Sequence, residues 1–293
     1  MRIVFIGSVI FSKEILNHLF KKKLGISLII TKKIYKKKSD KIDLSSYAKK
    51  NNTPFLYVKN INDKKIIDKI KSLKPDLILC LGWSEILKSK ILEIPKIGTI
   101  GYHPSDLPAN RGRHPIIWSL VKGLKKTAST FIFIKKGIDN GDIISKKKIL
   151  INFNDDAEKL YKKLIKSAKK QIEEIIHNLN KNKLRTFKQD EKKSNYCRKR
   201  NYSDGKIDWR MSAVSIHNLV RALSKPYDGA HFIYNSKEYK VWKVKISNDE
   251  NINFESGKII KVKHNVPIVK CGKGSILLEK ISPKLKFKEG MYL

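Results

Sequence analysis

Residues 98–115, GTIGYHPSDLPANRGRHP, decide how the chain folds. Their first part, Gly98 to Tyr102, is an apolar run of β-branched and aromatic types, and it stops at a lone His103. Pro104 and Pro108 cannot donate to a sheet ladder, so the strand ends at His103 and the backbone turns away there. In an open α/β sheet, ligands bind at the carboxyl ends of the strands, which makes His103 a candidate functional group. A strand-end histidine is also compatible with a hydrogen-bonded core role. Arg111 and Arg113 flank Gly112 in a turn, where a planar guanidinium suits a phosphate or carboxylate or caps the helix that follows.

Working upstream, the apolar runs Arg2 to Ile6, Ile26 to Thr31 and Asp76 to Leu81 read as buried strands, and Pro54 to Val58 as a short strand. Helical patterns separate them, after Gly7, near Leu44 to Lys49 and near Lys64 to Leu73. This alternation predicts an α/β fold with a mostly parallel sheet and helices on both faces. Downstream, a helix over Pro115 to Lys122 precedes strands at Ala128 to Ile134 and Ile143 to Ile151. Asp155 and Asp156 then open a long helix with Leu160, Leu164, Ala168, Ile172, Ile175 and Leu179 on one stripe. Residues 181–204 are polar and lysine-rich and read as a linker, so the first domain is placed at 1–180. Over 205–293 a helix at Ser212 to Leu223 and five short strands fit a small C-terminal β-barrel-like domain.

Composition sets outer bounds. The 64 Lys and Arg against 27 Asp and Glu give a net charge of +37, compatible with a polyanionic partner or with lysine spread over solvated faces. The densest cluster is Lys32, Lys33, Lys36, Lys37, Lys38 and Lys41. No apolar run approaches the roughly 20 residues needed to span a bilayer, and the start of the chain lacks a signal-peptide pattern. Cys80, Cys197 and Cys271 are scattered without metal-ligand spacing. A cytoplasmic location, no membrane association and no metal are expected.

His103 to Gly112, His-Pro-Ser-x-Leu-Pro-x-x-Arg-Gly, closely resembles the signature of the folate-dependent formyltransferases. Gly137 to Ile143 is similar to that family's Gly-x-Asp-x-Gly loop, which supplies a catalytic Asp. Ile207-Asp208-Trp209, Arg221-Ala222-Leu223 and Pro226 to Ala230 resemble the C-terminal domain of the methionyl-tRNA and amino-sugar members, so the likeness covers nearly the whole chain. It implies a Rossmann-like catalytic domain, with His103 and Asp139 catalytic and 10-formyltetrahydrofolate as formyl donor. It also assigns Trp83, Ser84, Glu85, Ile86 and Leu87 to the wall around the pterin ring, and Ser105, Arg111 and Arg113 to substrate binding.

In the implied reaction an unprotonated amine attacks a formyl carbon and forms a tetrahedral oxyanion. His103 would donate to that oxyanion, and Asp139 would take up the amine's proton directly or through water. The resemblance departs at one point: the family's Asn two residues before the His is Gly101 here. Asn110, Ser105 or a water would have to replace its amide. The implied acceptor is a small-molecule amine, foremost a nucleotide-linked amino sugar, since Arg198 to Trp209 resembles the corresponding run of the sugar enzymes. The basic cluster at Lys32 to Lys41 keeps methionyl-tRNA as an alternative acceptor, and Gly101 keeps a non-catalytic folate or nucleotide-sugar binding protein as another. Oligomeric state is not legible.

Overall fold

The computed structural model describes residues 1–35, 39–247 and 253–293, so Lys36, Lys37 and Lys38 of the basic cluster lie outside the described residues. The chain begins β1 (Ile3–Ile6), α1 (Ile10–Lys21), β2 (Ile26–Thr31), α2 (Ser45–Lys50), β3 (Phe55–Tyr57), α3 (Lys64–Ser72) and β4 (Leu77–Cys80). It continues with α4 (Ser89–Leu92), β5 (Gly98–His103), β6 (Arg111–Gly112), α5 (Pro115–Val121), β7 (Lys126–Phe133) and β8 (Ile143–Leu150). The remainder comprises α6 (Ala157–Asn180), β9 (Tyr196–Cys197), α7 (Ala213–Leu223), β10 (Ala230–Tyr234), β11 (Lys237–Ser247), β12 (Ile259–Lys263), β13 (Val266–Lys270) and β14 (Ser275–Ser282).

These elements form two compact units that do not follow chain order. Unit one takes Met1–Pro115, Thr127–Ile149 and Lys162–Cys197, and unit two takes Ile116–Lys126, Leu150–Tyr161 and Arg198–Leu293. In unit one a seven-stranded sheet runs in the order β3-β2-β1-β4-β5-β7-β8. Strands β3, β2, β1, β4 and β5 pair in parallel, while β7 is antiparallel to β5. The runs IVFI and LILC at its centre are buried at every residue, as continuous apolar strands covered on both faces must be. Helix α1 turns Phe11, Ile15, Leu16 and Leu19 inward at helical spacing.

Residues 181–197 correct the linker reading. Phe187 exchanges two backbone hydrogen bonds with Ile143 (2.8 and 2.9 Å), and β9 pairs in parallel with β6. The segment stays down because its polar side chains meet buried partners, as described below. A lysine-rich composition conceals such specific pairing.

Unit two contains a five-stranded antiparallel sheet in the order β10-β11-β14-β13-β12, the small C-terminal β domain expected. Ile216, Leu219 and Val220 of α7 share one buried cluster with Phe232, Val241, Val269, Ile276 and Leu278 of the strands. Among the described residues, no helix is long and apolar enough to cross a membrane.

Candidate active site

Strand β5 ends at His103, opposite Thr130 of β7, and the chain then curls back on itself through residue 110. Inside that curl the Ser105 hydroxyl donates to the Ala109 carbonyl (2.9 Å), and the Ser105 carbonyl accepts from the Thr130 hydroxyl (2.7 Å). Asn110 ends the curl with φ at +60°, a conformation Asn tolerates better than most residues. Its carbonyl thereby meets the His103 ring, which donates from Nε2 at 2.9 Å.

The second ring nitrogen, Nδ1, lies 3.3 Å from Oδ2 of Asp139, on the loop between β7 and β8. The imidazole is buried at 5% exposure, whereas the Asp139 side chain is partly open at 24%. Oδ2 also accepts from the Gly112 backbone N–H at 2.8 Å. No hydrogen bond from the described residues reaches Oδ1 of Asp139, and the side chain is partly open to solvent. Gly112 has φ at +101°, and a Cβ there would lie 2.5 Å from the Cys197 carbonyl, so only glycine brings this amide to the carboxylate. Two residues 36 positions apart in sequence therefore meet at the carboxyl edge of the sheet, as the two signatures required.

The other sequence assignments divide. Ser105 is fully buried and holds the turn, so its assignment to substrate binding is corrected: its hydroxyl is spent on Ala109. Arg111 is corrected too, being 0% exposed. It donates from Nε and Nη2 to Gln189 Oε1 (3.1 and 2.8 Å), from both Nη atoms to Glu191 (2.8 and 2.7 Å), and from Nη1 to the Tyr196 hydroxyl (3.0 Å). Glu191, foremost, raises the pKa of this guanidinium above its ordinary value, so it remains a fixed cation facing away from solvent. Arg113 is half-buried and donates to the Ser84 carbonyl at 2.7 Å, which ties it to the segment assigned to the donor.

Within that segment, Trp83 and Leu87 pack on the cluster containing Cys80 and Ile91, and Ile86 stands exposed. The Glu85 carboxylate accepts from Lys32 and from the Ile61 backbone N–H. Trp83 Nε1 is buried with no hydrogen-bond partner among the described residues. At Gly101, a Cβ would lie 2.7 Å from Cγ1 and 2.9 Å from Cδ1 of Ile134, so an isoleucine side chain fills the direction in which an Asn would point. The Ser105 hydroxyl does not replace that amide, since it serves Ala109. Among the described residues, no group of three or more His, Cys, Asp or Glu side chains is arranged to hold a metal ion.

Sequence reasoning missed Gln189, whose amide group donates to the carbonyls of Asp139 (2.7 Å) and Gly141 (2.8 Å). A glutamine inside a lysine-rich stretch carries no motif that would have singled it out.

Comparison with known proteins agrees with this geometry. A family model described as formyl transferase matches residues 1–176, and one described as formyl transferase, C-terminal domain, matches residues 199–290. A methionyl-tRNA formyltransferase from Acetivibrio thermocellus is 30% identical over 285 residues, covering 96% of this chain and 91% of that protein. The bifunctional polymyxin resistance protein ArnA from Wigglesworthia glossinidia brevipalpis is 39% identical over 243 residues, covering 81% of this chain but 36% of ArnA. Among solved structures, WlaRD, a sugar 3N-formyl transferase, has a TM-score of 0.72 at 22% identity, covering 97% of this chain and 99% of that one. Methionyl-tRNA formyltransferase from Clostridium thermocellum has a TM-score of 0.64 at 20% identity, covering 85% and 95%. With both family models matched over nearly its whole length, and a histidine and an aspartate meeting at the sheet edge where their signatures predict, the chain belongs to the formyl transferase family.

Proposed function

We propose that this formyl transferase moves a formyl group from 10-formyltetrahydrofolate to the primary amine of a nucleotide-linked amino sugar, with His103 and Asp139 as its catalytic pair. The contact between Nδ1 of His103 and Oδ2 of Asp139, at 3.3 Å, carries the reading. The donor supplies an electrophilic formyl carbon. The buried Trp83 N–H, which has no acceptor among the described residues, fits a heterocycle that presents one. Arg113, held by Ser84, stands where a cation could meet the donor's or acceptor's negative charge.

The residues divide the work as follows. Asp139 Oδ1 takes the proton from the incoming amine as its nitrogen bonds to the formyl carbon. When the tetrahedral oxyanion collapses, the bond from that carbon to the folate nitrogen that carried it breaks, and the folate nitrogen leaves with that proton as tetrahydrofolate. Oδ2 is held by Gly112 and His103, which keeps the carboxylate from turning away. At 3.3 Å the Nδ1 contact is the looser of the two made by the imidazole, and so is the one that can be shared with a developing oxyanion. Nε2, fixed on Asn110, sets the ring plane.

For the acceptor, WlaRD was solved with dTDP and 5-N-formyl-THF, and the N-formyltransferase from Helicobacter canadensis with folinic acid and dTDP-3-aminofucose. Methionyl-tRNA is the second reading, favoured by relatives of that name along 96% of the chain and by the net charge of +37. Release of tetrahydrofolate by the purified protein, measured with a panel of dTDP-amino sugars and with methionyl-tRNA, separates them. Turnover is expected with a sugar nucleotide, and a rate only with tRNA would reverse the order. His103→Ala and Asp139→Asn should each lower kcat by about 10²-fold or more. A wild-type rate in either variant would remove the pair from the mechanism.

A further inference from the structure

We infer that Gln189 is a positioning residue that sets the Asp139 carboxylate against His103. This rests on the reading of Asp139 as the catalytic proton acceptor and extends it to a residue that touches no substrate. Asp139 sits at φ +50°, a left-handed conformation uncommon outside glycine, on a loop whose preceding residues are exposed. Such a conformation persists where surrounding bonds over-determine it.

Gln189 supplies those bonds. Its two amide protons go to the carbonyls of Asp139 and Gly141, at 2.7 and 2.8 Å, clasping the loop on either side of Asn140. Its oxygen accepts twice from the fully buried Arg111 guanidinium, at 3.1 and 2.8 Å. All four hydrogen-bonding positions of the glutamine amide are thereby used. The residue after Arg111 is Gly112, whose N–H holds Asp139 Oδ2 at 2.8 Å. The path closes on itself: guanidinium, glutamine, Asp139 backbone, Asp139 carboxylate, Gly112, and back to Arg111. Backbone and carboxylate of one residue are thus referred to the same buried cation, fixing where Oδ1 points.

Gln189→Glu isolates this role. Glutamate keeps the length of the side chain and its pairing with Arg111, but places an oxygen where the two carbonyls need a donor. The reporter is the Gly112 amide, whose acceptor is the Asp139 carboxylate. Its hydrogen exchange would be followed by NMR in the full chain labelled with ¹⁵N-glycine, with Gly205 and Gly229 of unit two as fold controls. Asp139→Gly, which tolerates the left-handed backbone and removes the acceptor, gives the reference. Exchange at Gly112 at least about tenfold faster in both variants, with both controls unchanged, is the expected result. Fast exchange in Asp139→Gly alone would overturn the role of Gln189 and leave the site intact. Unchanged exchange in Asp139→Gly would overturn the described placement of the carboxylate, and this inference with it. Faster exchange at the controls as well would show a loosened fold and overturn positioning.

Discussion

At Gly101 a missing side chain and a neighbouring one explain each other. Ile134 lies 2.7 Å from where a Cβ would be, so restoring an Asn by Gly101→Asn should overpack the strand and destabilise the protein by about 1–3 kcal/mol, read from denaturant melts. Adding Ile134→Ala should recover much of that loss; if the double variant is no more stable than the single one, the isoleucine is not the obstacle. Arg111 makes a second case. Arg111→Lys keeps the charge but cannot fork to Gln189, Glu191 and Tyr196 together, and should cost about 1–3 kcal/mol by leaving a buried cation with fewer hydrogen bonds. Melts matching wild type would contradict that. The signature around His103 was legible because a strand that stops at His-Pro, and a glycine next to an arginine, leave marks in sequence. Which way Arg111 faces was not legible, because its partners Gln189 and Glu191 lie 78 and 80 residues away.

Among the elements, the strands were legible nearly to their ends. Apolar runs such as LILC can be satisfied only between two covered faces, and the loops between them are short. The exceptions are β6 and β9, each two residues long, whose pairing rests on Gly112 and on a carbonyl of Cys197 rather than on any run of types. Helix α1 shows how a local device is tied to the sheet. Ser12 accepts from the Val9 backbone N–H at 3.2 Å and donates to the Leu81 carbonyl just beyond β4 at 2.5 Å, while fully buried. Ser12→Ala should therefore lose the cap and strand the Leu81 carbonyl together, lowering stability by about 1–2 kcal/mol in a urea titration. A change below a few tenths would mean that neither bond matters to folding.

For the molecule as a whole, pH and charge give the broadest expectations. In unit two, His217 stacks on Phe153 with Arg221 nearby, and His231 stacks on Tyr202 with Lys240, Lys206 and Glu238 around it. Burial, foremost, lowers both imidazoles below the ordinary 6.5, so the folded chain keeps them neutral where the unfolded chain takes up protons. Their contribution to stability is full above about pH 6.5 and is lost as pH falls below that value and through the lowered folded-state pKa. The Tm should drop between pH 7 and 5, and His217→Phe, which keeps a ring against Phe153, should flatten that slope. A slope unaltered by the substitution would assign the pH dependence elsewhere. The charge of +37 was legible from the outset, but its purpose is decided by partners, and any tRNA affinity it confers should fall steeply with salt.

Residues 181–197 carry one consequence for anyone recombining these enzymes. The two family matches end at 176 and resume at 199, and a crossover in that gap looks innocuous. Yet the stretch between them holds Gln189, Asn195 and Cys197, each bonded to the loops around His103 and Asp139. A hybrid joined before residue 189 would thus pair one parent's Asp139 loop with the other parent's Gln189, and its turnover would report the mismatch even when the imported half was chosen only to change the acceptor.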